Sequence, residues 1–182
     1  MTSIRVAALC CAAVFWLLTG CGSSENSADN APSSGSEFTV APGNASKAAS
    51  VDVCALLSES DAADVARSQH LSGSQSADTQ YTLKTEKIDY NEQTSPRSGC
   101  KFTISGGGAV ATVGIDVVPG DNFSLYANDP QAKKVDGLGD EAVTVAGTTY
   151  VRVGDVMMQA GENSATNDFA VAMFTKMAPK LQ

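Results

Sequence analysis

In Cys100-Lys101-Phe102-Thr103-Ile104-Ser105-Gly106-Gly107-Gly108-Ala109-Val110-Ala111-Thr112-Val113-Gly114-Ile115-Asp116-Val117 the large apolar side chains fall on alternate positions. Cys100, Phe102 and Ile104 form one series, and Ala111, Val113, Ile115 and Val117 form the next. A period of two is that of a strand with one buried face, and the triple glycine between the series reads as a turn. The pattern extends outward on both sides. Tyr81 and Leu83 alternate upstream, and strands are expected downstream at Glu141–Ala146, Thr149–Val153 and Val156–Ala160. Gly147-Thr148 and Gly154-Asp155 separate the last three as short turns, which favours antiparallel hairpins.

A loop or single helical turn is expected around Phe123 to Asn128, and longer helical patterns lie at the two ends of this β-rich part. Asp52-Val53-Cys54-Ala55-Leu56-Leu57 reads as a short helical turn. Ser58-Glu59-Ser60-Asp61 follows as a capping box that opens a helix running to about Gln69, with Ala62, Val65 and Ala66 on its apolar side. At the other end Ala170, Met173, Phe174 and Met177 form a stripe in a helix from about Thr166 to Ala178, stopped by Pro179. The expected fold is α+β: an antiparallel β-sheet with the N-terminal and C-terminal helices packed on one face.

The 182 residues hold one ordinary domain and additional segments. With 12 Lys+Arg against 20 Asp+Glu, the net charge of -8 repels a phosphate backbone, so no nucleic-acid partner is expected. Residues 1–20 read as a signal peptide: Arg5 precedes an apolar or small run from Val6 to Leu18 that is too short to cross a bilayer core. Leu18-Thr19-Gly20-Cys21 resembles the lipobox of bacterial lipoproteins. That resemblance makes Cys21 the lipidated first residue of the mature chain, carrying palmitate-type acyl chains worth about 0.8 kcal/mol per buried CH₂. The alternative is an ordinary signal peptide with Cys21 as a free or disulfide-bonded thiol.

Of five cysteines, Cys10 and Cys11 leave with the signal and Cys21 takes lipid, so Cys54 and Cys100 remain as an even pair. In an exported chain such a pair suggests a disulfide, two free buried thiols being the alternative. Residues 21–50, rich in Ser, Gly, Asn, Ala and Pro, read as a disordered tether with a span of roughly 30 Å. The single folded domain is then expected over 51–182.

Three landmarks resemble an uncharacterised family of actinobacterial, mycobacterial-type cell-envelope lipoproteins, catalogued as a domain of unknown function. They are Asp52-Val53-Cys54-Ala55-Leu56-Leu57, Gly99-Cys100-Lys101-Phe102 and Val135-Asp136-Gly137-Leu138-Gly139-Asp140-Glu141-Ala142. The likeness covers about residues 51–182. Phe102 stands where the family often carries Trp, a departure that leaves a core role intact. The resemblance implies an exported, disulfide-bonded α+β domain on a lipid anchor, with no activity to carry over.

Candidate chemistry is weak throughout. Ser98-Gly99-Cys100-Lys101 fits S-x-x-K, but it leads into a strand and lacks its partner motifs. His70 is the sole histidine and reads as an exposed helix-end residue. Asp136, Asp140 and Glu141 lack the spacing of a calcium loop, and the glycines beside them suit positive φ or close chain approach. Met157, Met158, Met173 and Met177 read as core filling, with a greasy cavity as the softer alternative. Trp16 lies in the signal, which leaves Tyr81, Tyr90, Tyr126 and Tyr150 as recognition aromatics.

No catalytic residue, metal or cofactor is therefore assigned. The expected protein is a lipoprotein on the outer face of the cytoplasmic membrane, a non-enzymatic binding or accessory module of the cell envelope with an envelope protein or lipid as partner. A carrier of lipid or small amphiphiles, in a cavity between sheet and terminal helix, is the alternative. An envelope hydrolase ranks third.

Overall fold

Among the described residues seven strands form one sheet, ordered β1-β2-β3-β7-β6-β5-β4, with every neighbouring pair antiparallel. The computed structural model describes residues 42–71, 78–91, 96–161 and 165–182. The expected signal segment, Cys21 and residues 22–41 of the expected tether lie outside them. The strands are β1 (Tyr81–Ile88), β2 (Ser98–Gly106), β3 (Ala109–Pro119), β4 (Lys133–Lys134), β5 (Glu141–Val145), β6 (Thr148–Val153) and β7 (Val156–Ala160). Two meanders, β1 to β3 and β4 to β7, are joined side by side where β3 pairs with β7.

Register places the apolar series opposite one another. Phe102 faces Val113, Ile104 faces Ala111, and Cys100 faces Ile115. Because the period is two, these residues and Val117, Met158, Val151 and Val153 share a first face and one core cluster. Gly107 and Gly108 turn β2 into β3 with φ of 59° and 81°, which side chains with a Cβ rarely adopt.

The helices are α1 (Pro42–Ser50), α2 (Glu59–Ser68), α3 (Phe123–Ala127) and α4 (Asn167–Met177), with 3₁₀ turns at Val53–Leu56, Gly120–Asn122 and Ala178–Lys180. Ser58 caps α2 reciprocally with Asp61, as the sequence pattern implies. Thr166 caps α4 by accepting from the Phe169 N–H. Ala62, Val65 and Ala66 of α2 and Phe169, Ala170, Met173, Phe174 and Met177 of α4 belong to the first-face cluster. The short α3 belongs to the second face, where Phe123 packs with Val118, Val143 and Met157. Met157 and Met158 are adjacent in sequence and therefore serve opposite faces, each fully buried.

Two elements differ from the sequence expectation. The stretch to residue 50 is read as tether, yet Pro42–Ser50 is helical, so the folded part starts before Val51. Proline suits the first helical position, and among the described side chains of this helix Ala48 alone is fully buried, so the apolar signal is too small to register in a sequence. Long-range polar contacts hold the helix instead. The Ser98 hydroxyl donates to the Ala48 carbonyl at 2.7 Å, and Lys47 pairs with Asp155 at 3.2 Å. The second difference is β4, whose two exposed lysines carry no apolar pattern.

Candidate functional site

Cys54 and Cys100 form a disulfide with a Cα–Cα separation of 5.2 Å, tying the 3₁₀ turn at Val53–Leu56 to β2. Ser98 and Lys101 do not form a nucleophile pair. Ser98 is buried against α1, whereas Lys101 is exposed and pairs with Glu86 at 3.3 Å, because residues three apart on a strand point to opposite faces. His70 is exposed just past α2 with φ of 51°, and the following Leu71 N–H closes the helix by donating to the Ala66 carbonyl.

Asp136, Asp140 and Glu141 are each engaged separately. Asp136 pairs with Lys134, Glu141 with Arg152, and Asp140 accepts the Gly154 N–H at 2.6 Å. Among the described residues no group of three or more His, Cys, Asp or Glu side chains is arranged to hold a metal ion. The glycine beside them has a steric role: Gly139 has φ of 62°, and a Cβ there would lie 2.5 Å from the Arg152 carbonyl oxygen. This close approach seats Leu138 in the core. Met158, Met173 and Met177 are fully buried within the first-face cluster.

The tyrosines divide unequally. Tyr81 packs on the first-face cluster, with Arg67 5.8 Å from its ring centre. Tyr90, Tyr126 and Tyr150 gather on the second face. There the register brings Asp116, the one charged residue of β3, opposite Gly99 on β2 and Gln159 on β7. Its side chain is 8% exposed. A buried carboxylate needs hydrogen bonds or an opposite charge, and two residues of the β1–β2 connection supply them. The Tyr90 hydroxyl donates to Asp116 Oδ1 at 2.5 Å, and Arg97 Nη1 lies 3.9 Å from Oδ2. The Arg97 guanidinium carbon sits 4.2 Å from the centre of the Tyr90 ring. Burial, then donation to Asp116, pushes the Tyr90 phenol up to about 12.

Gly99 makes this stacking possible. A Cβ there would meet Asp116 Oδ1 at 2.7 Å and the Tyr90 ring at 2.9 Å. The motif Gly99-Cys100-Lys101-Phe102 thus uses one residue for the second face and the next for the disulfide.

Beside the triad is a cleft of about 280 Å³ between Arg97 and the Gly120–Ala127 segment. Val118 and Met157 of the central strands form its floor beside Gln159, with Pro96 on the arginine side and Asn122 and Tyr126 opposite. Tyr126 is itself fixed by stacking on Tyr150 of β6, with ring centres 3.6 Å apart and planes within 13°. Burial, and then Tyr126, raises the pKa of the Tyr150 phenol. The cleft combines an apolar floor, two side-chain amides and one cation, a composition suited to binding a small molecule or a chain end. Arg97 and Asp116 carried no readable pattern in the sequence. The available signals were a glycine inside a strand and a lone charge in an apolar run.

Comparison of the chain with protein-family models, with curated proteins and with solved structures finds no match.

Proposed function

We propose that this protein is an exported lipoprotein, anchored through Cys21 on the outer face of the cytoplasmic membrane, acting as a non-enzymatic binding or accessory module of the cell envelope. The Cys54–Cys100 disulfide carries the reading, because such bonds persist in exported chains and are rare in a reducing cytoplasm. It accords with the export signal and the Leu18-Thr19-Gly20-Cys21 motif. The cleft beside Arg97 supports a binding role. Its cation is held against a tyrosine ring and a carboxylate. The motif likeness to actinobacterial envelope lipoproteins points the same way.

Feeding cells an alkyne-bearing fatty acid tests the anchor. The wild-type chain is expected to take up label and to fractionate with membranes, and Cys21→Ala is expected to do neither. Equal labelling of the two chains overturns the anchor.

A further inference from the structure

Arg97 is held in position with no hydrogen-bond acceptor at its Nε among the described residues. Its guanidinium is stacked near Tyr90, and its side chain is 34% exposed at the edge of the cleft. Among the described residues its only charged neighbour is Asp116, at 3.9 Å, beyond hydrogen-bond length, and its Nε is buried with no acceptor. A guanidinium carries five donors in a planar fork, and leaving buried donors unmade is unfavourable. Asp116 does not fill the need, because its nearer oxygen, Oδ2, stays 3.9 Å from Nη1. Loss of side-chain freedom, the usual entropic cost of closing an arginine on a ligand, is largely met beforehand by the ring beneath it.

We propose that the cleft between Arg97 and Tyr126 binds a monocarboxylate carried on a small apolar body, with Arg97 taking the carboxylate and Val118, Met157 and Tyr126 receiving the apolar part. This ligand class deepens the binding-module reading and rests on it. A planar two-oxygen anion matches the guanidinium fork, and the side-chain amides of Asn122 and Gln159 in the same lining offer further donors. A doubly charged phosphate is disfavoured beside the Asp116 carboxylate on a chain of net charge -8. The floor is apolar, and the cleft is at the small end of ligand sites. The carboxylate has two sources, a free organic acid or the C terminus of a peptide.

The test uses the full-length chain in detergent, labelled at methionine methyl groups and followed by NMR. Met157 underlies the cleft and Met158 faces the opposite side of the sheet, so the second is an internal control. Phenylacetate is titrated against phenylacetamide, which keeps the shape without the charge. An N-acetylated Phe-Ala dipeptide with a free C terminus is titrated against its amide. A carboxylate from either source is expected to shift Met157 saturably and leave Met158 in place. The neutral analogue should bind about tenfold or more weakly, the fold-change for loss of one charge-assisted hydrogen bond.

Arg97→Gln is expected to abolish the preference for the charged form, and Arg97→Lys to restore only part of it. Unmoved Met158 and Met173 signals in both variants establish that they are folded. Phenylacetate binding alone assigns the site to free acids, and dipeptide binding alone assigns it to chain ends. Equal affinity for charged and neutral forms, retention of the preference in Arg97→Gln, or no saturable shift at Met157 overturns the proposal. Failure here leaves the fatty-acid labelling result unaffected, so the two readings fail separately.

Discussion

Opening the Cys54–Cys100 bridge removes a constraint that acts mainly on the unfolded chain. The bridged residues are 46 apart in sequence, and in the chain-entropy model closing a loop of that size costs the denatured ensemble about 13–14 cal/mol/K, or about 4 kcal/mol at 25 °C. Little is expected to change in the folded state, because Cys100 is fully buried and its reduced thiol remains a small apolar group in the same place. For a chain of this size a loss of 4 kcal/mol lowers the melting temperature by roughly 8–16 °C. Urea unfolding of the purified chain, followed by circular dichroism with and without dithiothreitol, reads the effect directly. The midpoint is expected to fall while the slope rises somewhat, since the reduced denatured chain exposes more surface. A Cys54→Ala/Cys100→Ala variant should reproduce the reduced midpoint and be insensitive to reductant, which excludes contributions from the other cysteines. Coincident midpoints for oxidised and reduced wild type would refute the reasoning.

Gly139→Ala is expected to cost about 2 kcal/mol or more, because it combines a positive φ with a Cβ placed 2.5 Å from the Arg152 carbonyl oxygen; a thermal melt matching wild type counts against the close approach. Tyr90→Phe should cost about 1–3 kcal/mol at neutral pH by leaving Asp116 short of a donor. The folded-state pKa of Tyr90 is raised from 10 to about 12, so its contribution is complete below pH 10 and is lost as pH rises towards 12. The gap between wild type and variant in urea midpoint should close over that window, and a constant gap speaks against the bond. For Asp61, burial raises the pKa, but hydrogen bonds from Lys180 and Ser58 outweigh it and bring the carboxyl down to about 2. Its contribution is present above pH 3.8 and lost as pH falls through 2, so Asp61→Asn should cost about 1 kcal/mol at pH 7 and almost nothing at pH 2. An equal cost at both pH values would show that the cap acts without charge.

The alternation of Cys100, Phe102 and Ile104 against Ala111, Val113, Ile115 and Val117 made the central hairpin legible from residue order alone, because a side-chain period of two has only one burial solution per strand. The helical stripe of α4, the capping box of α2 and the even pair Cys54 and Cys100 were legible for the same reason: each is a local rule or a count. Other features depend on partners distant in sequence. Helix α1 buries only Ala48 and is held by Ser98 and Asp155, so its composition resembles a tether until those partners are in place. The joining of two meanders through β3 and β7 is likewise nonlocal, since no turn connects them. The triad follows from that topology. Tyr90 and Arg97 lie in the β1–β2 connection and Asp116 on β3, and the pairing of β2 with β3, together with the missing Cβ of Gly99, makes room for them to meet. Periodicity fixes which face each strand residue takes, and long-range pairing decides which residues on that face become neighbours.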